Sequence, residues 1–414
     1  SRGINWGLMV VLPLFLQSTE EYGRVGLLVS IEILVSSVSM IGLDRAILRF
    51  YANDEHPGVL LRSVLFVWAI ASWIPLIATL VLYLAGWETF FGIPVAPHLF
   101  LMSITIALFN LNMLCVCVSR ANNDLASFLK FRLWYVALKF VFVLILAVYL
   151  GHSLAYVMGF GLAAVGMMFL IIPLLLRTAS GPSSTEAVRK LVVFGWPFVF
   201  HVASGNVLTY FSRFFLEAYS TTNDVGVFTF AFTLGGGLYL VYASLATYFE
   251  PRVYSHSDDK RKCELWLSFY TNLCVSIAAA GGAVLLLIFP LVTAQLPEDY
   301  HRALPILSMV MGTILLRPIY IQSNFRLVAN ERTHHIANAS FVGALVSVVL
   351  NLWLIPPYGI WGAAVALYIS NFFFCGYTLI ISLWVARISW KYEYSLPTYL
   401  ICAVGSLSTI IWAN

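Results

Sequence analysis

An all-α integral membrane protein is predicted, with 12 to 14 transmembrane helices in two parallel six-helix halves around a central cleft. Three observations carry that prediction. Of the 414 residues, 61% are apolar and only 10% charged, with a mean hydropathy of +0.88, far from the near-half apolar, quarter-charged balance of water-soluble domains. The apolar residues gather into stretches of about 20, the length a helix needs to cross a bilayer. Lys and Arg then fall almost wholly on alternate loops, the bias that orients membrane helices.

The apolar stretches lie at 1–18, 25–44, 61–86, 98–119, 129–150, 153–176, 190–217, 225–249, 264–292, 303–327, 335–355, 359–386 and 397–412. The first is short and begins at Ser1, which predicts a helix that continues upstream. With the N-terminus inside, the inner loops and helix ends carry seventeen basic residues, among them Arg45, Arg49, Arg120, Arg177, Arg189, Lys260 and Arg332, against only Arg24 and Arg302 outside. A missed span would scramble that alternation, so the charge split also supports the span count.

Two short patterns recur six spans apart. Phe15-Leu16 followed by Tyr22-Gly23 resembles Phe215-Leu216 followed by Val225-Gly226, and Arg120-Ala121-Asn122-Asn123-Asp124 resembles Val328-Ala329-Asn330-Glu331-Arg332. An offset of six spans returns the second copy in the same orientation, giving parallel halves, as in transporters built from repeats. Residues 1–177 are thus read as the N-terminal six-helix half and 190–386 as the C-terminal one. Residues 178–189, rich in small and polar residues with Gly181-Pro182, form a cytoplasmic linker. Residues 387–414 add a C-terminal segment carrying a thirteenth helix.

Several functions are excluded. The basic residues are dispersed, so no nucleic-acid-binding face is read. The six cysteines have no metal-ligand spacing and are read as small packing residues. No nucleophile elbow, phosphate-cradling loop, metal site or cofactor motif is present, and the outer loops are short, so no enzyme activity is predicted. Glu20 and Glu21 are read as a solvated outer loop.

Three stretches carry a family resemblance. They are Glu21-Tyr22-Gly23, Ile41-Gly42-Leu43-Asp44-Arg45-Ala46-Ile47-Leu48-Arg49-Phe50, and Ile355-Pro356-Pro357-Tyr358-Gly359-Ile360-Trp361-Gly362-Ala363-Ala364. Together they resemble the polysaccharide transport family, the Wzx-type flippases of the multidrug/oligosaccharidyl-lipid/polysaccharide superfamily. Ser212-Arg213 resembles an Asp-Arg pair of that family but lacks its acid. The resemblance implies a flippase in the bacterial inner membrane that moves undecaprenyl-diphosphate-linked oligosaccharide repeat units, for O-antigen and other surface polysaccharides, from inner to outer leaflet by alternating access. A lipid II flippase or a multidrug exporter of the same superfamily is the alternative. Implied partners are the lipid-linked oligosaccharide, membrane lipids, a coupling proton or sodium ion and a polysaccharide polymerase, with the chain itself a monomer.

Charged residues inside a span are costly and mark functional sites. Lys139 and Arg317 fall near the midplane. Each is satisfied either by a watery cleft, where it would attract the diphosphate of the carrier, or by an ion pair between helices, and the cleft is the preferred expectation for both. Arg213 lies near the outer end of its span, where it either lines the cleft or reaches the outer headgroups. Arg45 and Arg49, near the inner end of the second span, either anchor the helix or, by the resemblance, bind substrate, and Arg2 joins them if helix one extends upstream. Glu32, read at about 10 Å below the outer edge, and His201 are candidate ion-coupling groups. Tyr239, Tyr242 and Tyr248, beside Gly235-Gly236-Gly237, are read as packing aromatics or as sugar-stacking platforms.

Overall fold

A computed structural model of the protein describes residues 2–386 apart from 256–258, 331 and 333. The expected segment at 397–412, with Arg387 and Lys391, lies outside the described residues. What is described is almost entirely helical. Among those residues ten helices are long and apolar enough to cross a membrane. Large apolar side chains such as Phe169, Leu287 and Trp384 stand open on their outer faces, which a bilayer satisfies and water does not.

The chain divides into two compact units, Ser1–Asn206 and Val207–Asn414. Unit 1 holds α1 (Arg2–Val11), α2 (Thr19–Ser39), α3 (Leu43–Phe50), α4 (Pro57–Leu84), α5 (Phe100–Ala121), α6 (Leu125–Leu150), α7 (Leu154–Thr178) and most of α8 (Thr185–Tyr210). Unit 2 holds α9 (Ser212–Tyr219), α10 (Thr222–Ser255), α11 (Lys260–Thr293), α12 (Ala303–Ala329) and α13 (His334–Ala386). The division therefore falls inside α8, beyond the 178–189 segment, of which only 179–184 is non-helical.

Helix α13 has 53 residues, about 80 Å of helix and more than twice a hydrocarbon core. It is two helices joined at a kink, long enough together for two crossings. Pro356 and Pro357 precede the reversal and Gly359 adopts φ 53, ψ −129, a region open to glycine alone. Gly362 then passes so close to the Leu354 carbonyl that any Cβ there would overlap it.

Three boundaries differ from the sequence reading. Helix α2 starts at Thr19, not near residue 25, because the Ser18 hydroxyl accepts a hydrogen bond from the Glu21 N–H at 3.2 Å and satisfies one of the open donors of the first turn. Glu20 and Glu21 are consequently helical, not part of a solvated loop. Glu21 accepts a bond from the Ser153 N–H at 2.7 Å and pairs with Arg24, so it also caps the start of α7.

The second difference is at the inner end of α2. The helix stops at Ser39, Ile41 and Gly42 take φ 47 and φ 68, and α3 begins as a separate helix. Leu43, Ala46 and Ile47 face the core of unit 1, while Arg45 and Arg49 are one turn apart on the exposed face. The break is held by α8, since a Cβ on Gly42 would run into the Gly195 carbonyl and one on Gly195 into that of Ile41. The third difference is an outer hairpin, Thr89–Phe90 paired with Ile93–Pro94, whose turn residues Phe91 and Gly92 both have positive φ, the geometry of a two-residue hairpin loop.

The spaced pattern around Asn122 and Asn330 has a structural counterpart in each unit. Helix α5 ends at Ala121 with Asn122 as its C-cap, and α12 ends at Ala329 with Asn330 as its C-cap.

Candidate functional site

Four places in the two units hold the polar residues nominated from the sequence. The first is a buried cluster in unit 1. Glu32 lies thirteen residues into α2, about 20 Å along the helix from its first residue. Opposite it stands Lys139 of α6. The Lys139 Nζ donates to both carboxylate oxygens of Glu32 at 3.1 Å and to the Tyr156 hydroxyl of α7 at 2.9 Å. Tyr156 in turn donates to Glu32 Oε2 at 2.5 Å, closing a ring of three groups.

That ring is walled by aromatic side chains. The Phe160 ring centroid lies 3.9 Å from Nζ and that of Tyr156 4.8 Å, within reach of cation–π attraction. Phe109 and Tyr135 each pack edge to face with Phe160. Lys139 and Glu32, nominated for different tasks, are thus one buried ion pair. An ammonium has three donors, and all three are used within unit 1.

A second place in unit 1 is a cavity of about 170 Å³ at the α2–α3 break. Ser36, Ser37, Arg45, Asn110, Phe109 and Phe198 are among its lining residues. Ser36 donates to Asn110 Oδ1 at 2.5 Å, and Asn206 Nδ2 donates to Ser37 at 3.1 Å. Asn110 is fully buried, and no described residue accepts a bond from its Nδ2. Arg45 is paired loosely with Asp44 at 3.5 Å and is more than half exposed, so its guanidinium is free to take an anion. Arg49 is exposed on the same face of α3. His201, on α8 of the same unit, is partly buried, and no described residue bonds its Nδ1. Arg2 opens α1 by its backbone; its side chain lies outside the described residues.

The other two places are in unit 2. Arg213 is 3% exposed on α9. Its Nε donates to Thr229 at 3.1 Å, and its guanidinium lies over Phe232 at 4.8 Å and Tyr210 at 5.3 Å. It is enclosed by its own unit and does not snorkel to headgroups.

Arg317 differs. It is half-buried on α12 beside Pro318, with its guanidinium 5.7 Å from the Tyr239 ring of α10 and 6.0 Å from the Phe374 ring of α13. No carboxylate pairs with it among the described residues. The glycine run beside Tyr239 brings the helices together, since a Cβ on Gly235 would meet Ile314 and Val310 of α12. Of the three tyrosines considered for sugar stacking, Tyr242 is fully buried and unavailable, Tyr239 lies beside Arg317, and Tyr248 is taken by Arg252 at 3.6 Å.

Chemically, then, unit 1 contains a neutral buried pair and an accessible cation at its α2–α3 break, and unit 2 contains an accessible cation flanked by aromatic faces. The ring's third member, Tyr156, and the cavity's Asn110 were not singled out from sequence. Neither has a spacing signal; both become visible only when their helices pack. No group of three His, Cys, Asp or Glu side chains fit to hold a metal ion occurs among the described residues.

The helical architecture defines a class: a multi-pass membrane protein with the two-lobed fold of known transporters. A family model described as polysaccharide biosynthesis protein matches residues 1–251, and the chain belongs to that family. Among solved structures, an inward-facing multidrug resistance MATE family transporter of the MOP superfamily shares the fold at a TM-score of 0.76 and 14% identity, covering 92% of this chain and 94% of that one. The lipid II flippase MurJ in an inward closed conformation does so at 0.73 and 14% identity, covering 99% of this chain and 90% of that one. No curated protein matches the sequence.

Proposed function

We propose that the protein is a flippase that carries an undecaprenyl-diphosphate-linked oligosaccharide repeat unit from the inner to the outer leaflet of a bacterial inner membrane by alternating access. Such a cargo has a diphosphate, whose two negative charges must be matched inside the bilayer, and sugars, which stack on aromatic rings. One observation carries the reading: Arg317 is an intramembrane cation without a carboxylate partner among the described residues, flanked by Tyr239 and Phe374. Family membership supports the polysaccharide context.

Arg317 is the residue assigned to the diphosphate, with Arg45 and Arg49 of α3 attracting the cargo at the cytoplasmic entrance. Arg213 is enclosed and acts on Arg317's unit by packing, not by touching cargo. His201, with an open Nδ1, stands as a coupling group; Glu32 is committed to Lys139. The fold shared with a lipid II flippase over 99% of the chain makes lipid II the alternative cargo. A multidrug exporter for cationic drugs is disfavoured by a cation at the site.

The test is complementation of strains lacking either a surface-polysaccharide flippase or a lipid II flippase. Restored surface polysaccharide that depends on Arg317 supports the proposal. Rescue of the lipid II strain alone moves the cargo to lipid II, and rescue that is insensitive to Arg317→Ala removes the site.

A further inference from the structure

The ring around Lys139 has the composition of a cation site. The groups that face its positive charge are two accepting oxygens of Glu32, at 3.1 Å each, the Tyr156 oxygen at 2.9 Å, and the ring face of Phe160 at 3.9 Å. Hard cations take oxygen ligands of this kind, and an aromatic face adds attraction once water is excluded. We propose that Lys139 is a tethered counter-cation: its ammonium fills a monovalent-cation site built by Glu32, Tyr156 and Phe160, so that unit 1 neutralises its buried carboxylate without taking sodium from solution.

A carboxylate within a span must be compensated, because an unpaired charge there is costly. Three solutions exist: a proton, an ion from solution, or a basic side chain. A proton and a soluble ion can leave, and each departure can be harnessed to a transport step. An ammonium on a covalent stem cannot leave. The side chains of Lys139 and Glu32 are 5% and 12% exposed, and the donors of the one are satisfied by the other and by Tyr156. A fixed pair of this kind holds α2, α6 and α7 together with no net charge, whatever is happening at the cargo site.

The consequence is a site that is latent for a free ion. Replacing Lys139 by alanine while keeping Glu32 leaves one negative charge, three oxygens and the volume of three methylenes and an ammonium. That space suits a sodium ion with a water molecule. The proposal does not rest on the identity of the cargo, and it makes no use of Arg317, so it fails or stands separately from the flippase reading.

The test uses the full chain purified in nanodiscs and its unfolding temperature in sodium chloride against choline chloride at equal ionic strength. Wild type is expected to show no sodium-specific shift. Lys139→Ala is expected to gain one of about 2 °C or more, because an ion that binds only the folded state stabilises it, and the gain is expected to vanish in the double variant Lys139→Ala with Glu32→Gln. A gain in Lys139→Ala no larger than that of the double variant overturns the proposal. So does a sodium-specific shift of the wild type that Glu32→Gln abolishes, a comparison that decides the matter even where Lys139→Ala fails to accumulate.

Discussion

Each unit places a basic residue deep inside one of its helices, and the two units treat that residue in opposite ways. In unit 1, Lys139 meets a carboxylate and a tyrosine and gives up every donor it has. In unit 2, Arg317 meets aromatic rings and no described carboxylate. The first arrangement is self-contained, so its charges hold helices together and offer nothing to a passing anion. The second leaves a positive charge that, among the described residues, is met through ring faces, a weaker interaction that an anion can replace or join. Position within an apolar helix does not separate the two charges; the internal partner does.

The largest expected effect breaks the unit 1 pair from one side. Glu32→Ala leaves the Lys139 ammonium buried without its counter-charge and is expected to destabilise the protein by about 3–5 kcal/mol, read as a drop in unfolding temperature. Replacing both, Glu32→Gln with Lys139→Met, is expected to restore most of that stability, because a neutral pair of similar volume removes the uncompensated charge. Next is the helix break that positions Arg45. Gly42→Val adds a β-branched side chain at φ 68 against the Gly195 backbone, and is expected to cost about 2–4 kcal/mol from left-handed strain and overpacking together. A stability unchanged from wild type would show that α8 does not clamp α3.

Arg317→Ala is expected to lower cargo affinity and export by about 10- to 100-fold, the scale of one charge-assisted bond of 1.5–3 kcal/mol, at unchanged protein abundance. Arg317→Lys retains part of the activity, since the charge remains but the planar fork is lost. The smallest effect is at the solvent-exposed loop before α6. The Asp124 carboxylate is held below its ordinary range by hydrogen bonds from Ser127. A carboxylate with a lowered folded pKa contributes stability that is present above its unfolded value, near 3.9, and is lost as pH falls through the folded value. Asp124→Ala is therefore expected to lower the unfolding temperature slightly at neutral pH and to make no difference in strong acid.

The order of the long apolar helices was legible because runs of about twenty apolar residues are a direct consequence of a bilayer; ten such helices occur among the described residues, and the run at 397–412 lies outside these. Local breaks were less legible. The start of α2 was readable in principle from Ser18-Thr19-Glu20-Glu21, a serine followed three residues later by a glutamate, yet its polar residues look like loop when judged by hydropathy. The stop at Ile41-Gly42 was hidden because a glycine in a membrane helix is common, and what makes this one a break is Gly195, more than 150 residues away. The charged candidates were visible one by one, since any charge in an apolar run stands out. Their partners were not. Lys139 and Glu32 are separated by 107 positions, and Tyr156 is one aromatic among many, so only packing distinguishes a matched charge from an open one.

The most direct test of that distinction is a binding titration of the purified protein with an undecaprenyl-diphosphate lipid, comparing wild type, Arg317→Ala, and the neutral pair Glu32→Gln with Lys139→Met. Arg317→Ala is expected to lose affinity by at least about tenfold while the neutral pair binds as wild type does. Unchanged affinity in Arg317→Ala, or a loss confined to the neutral pair, would contradict it.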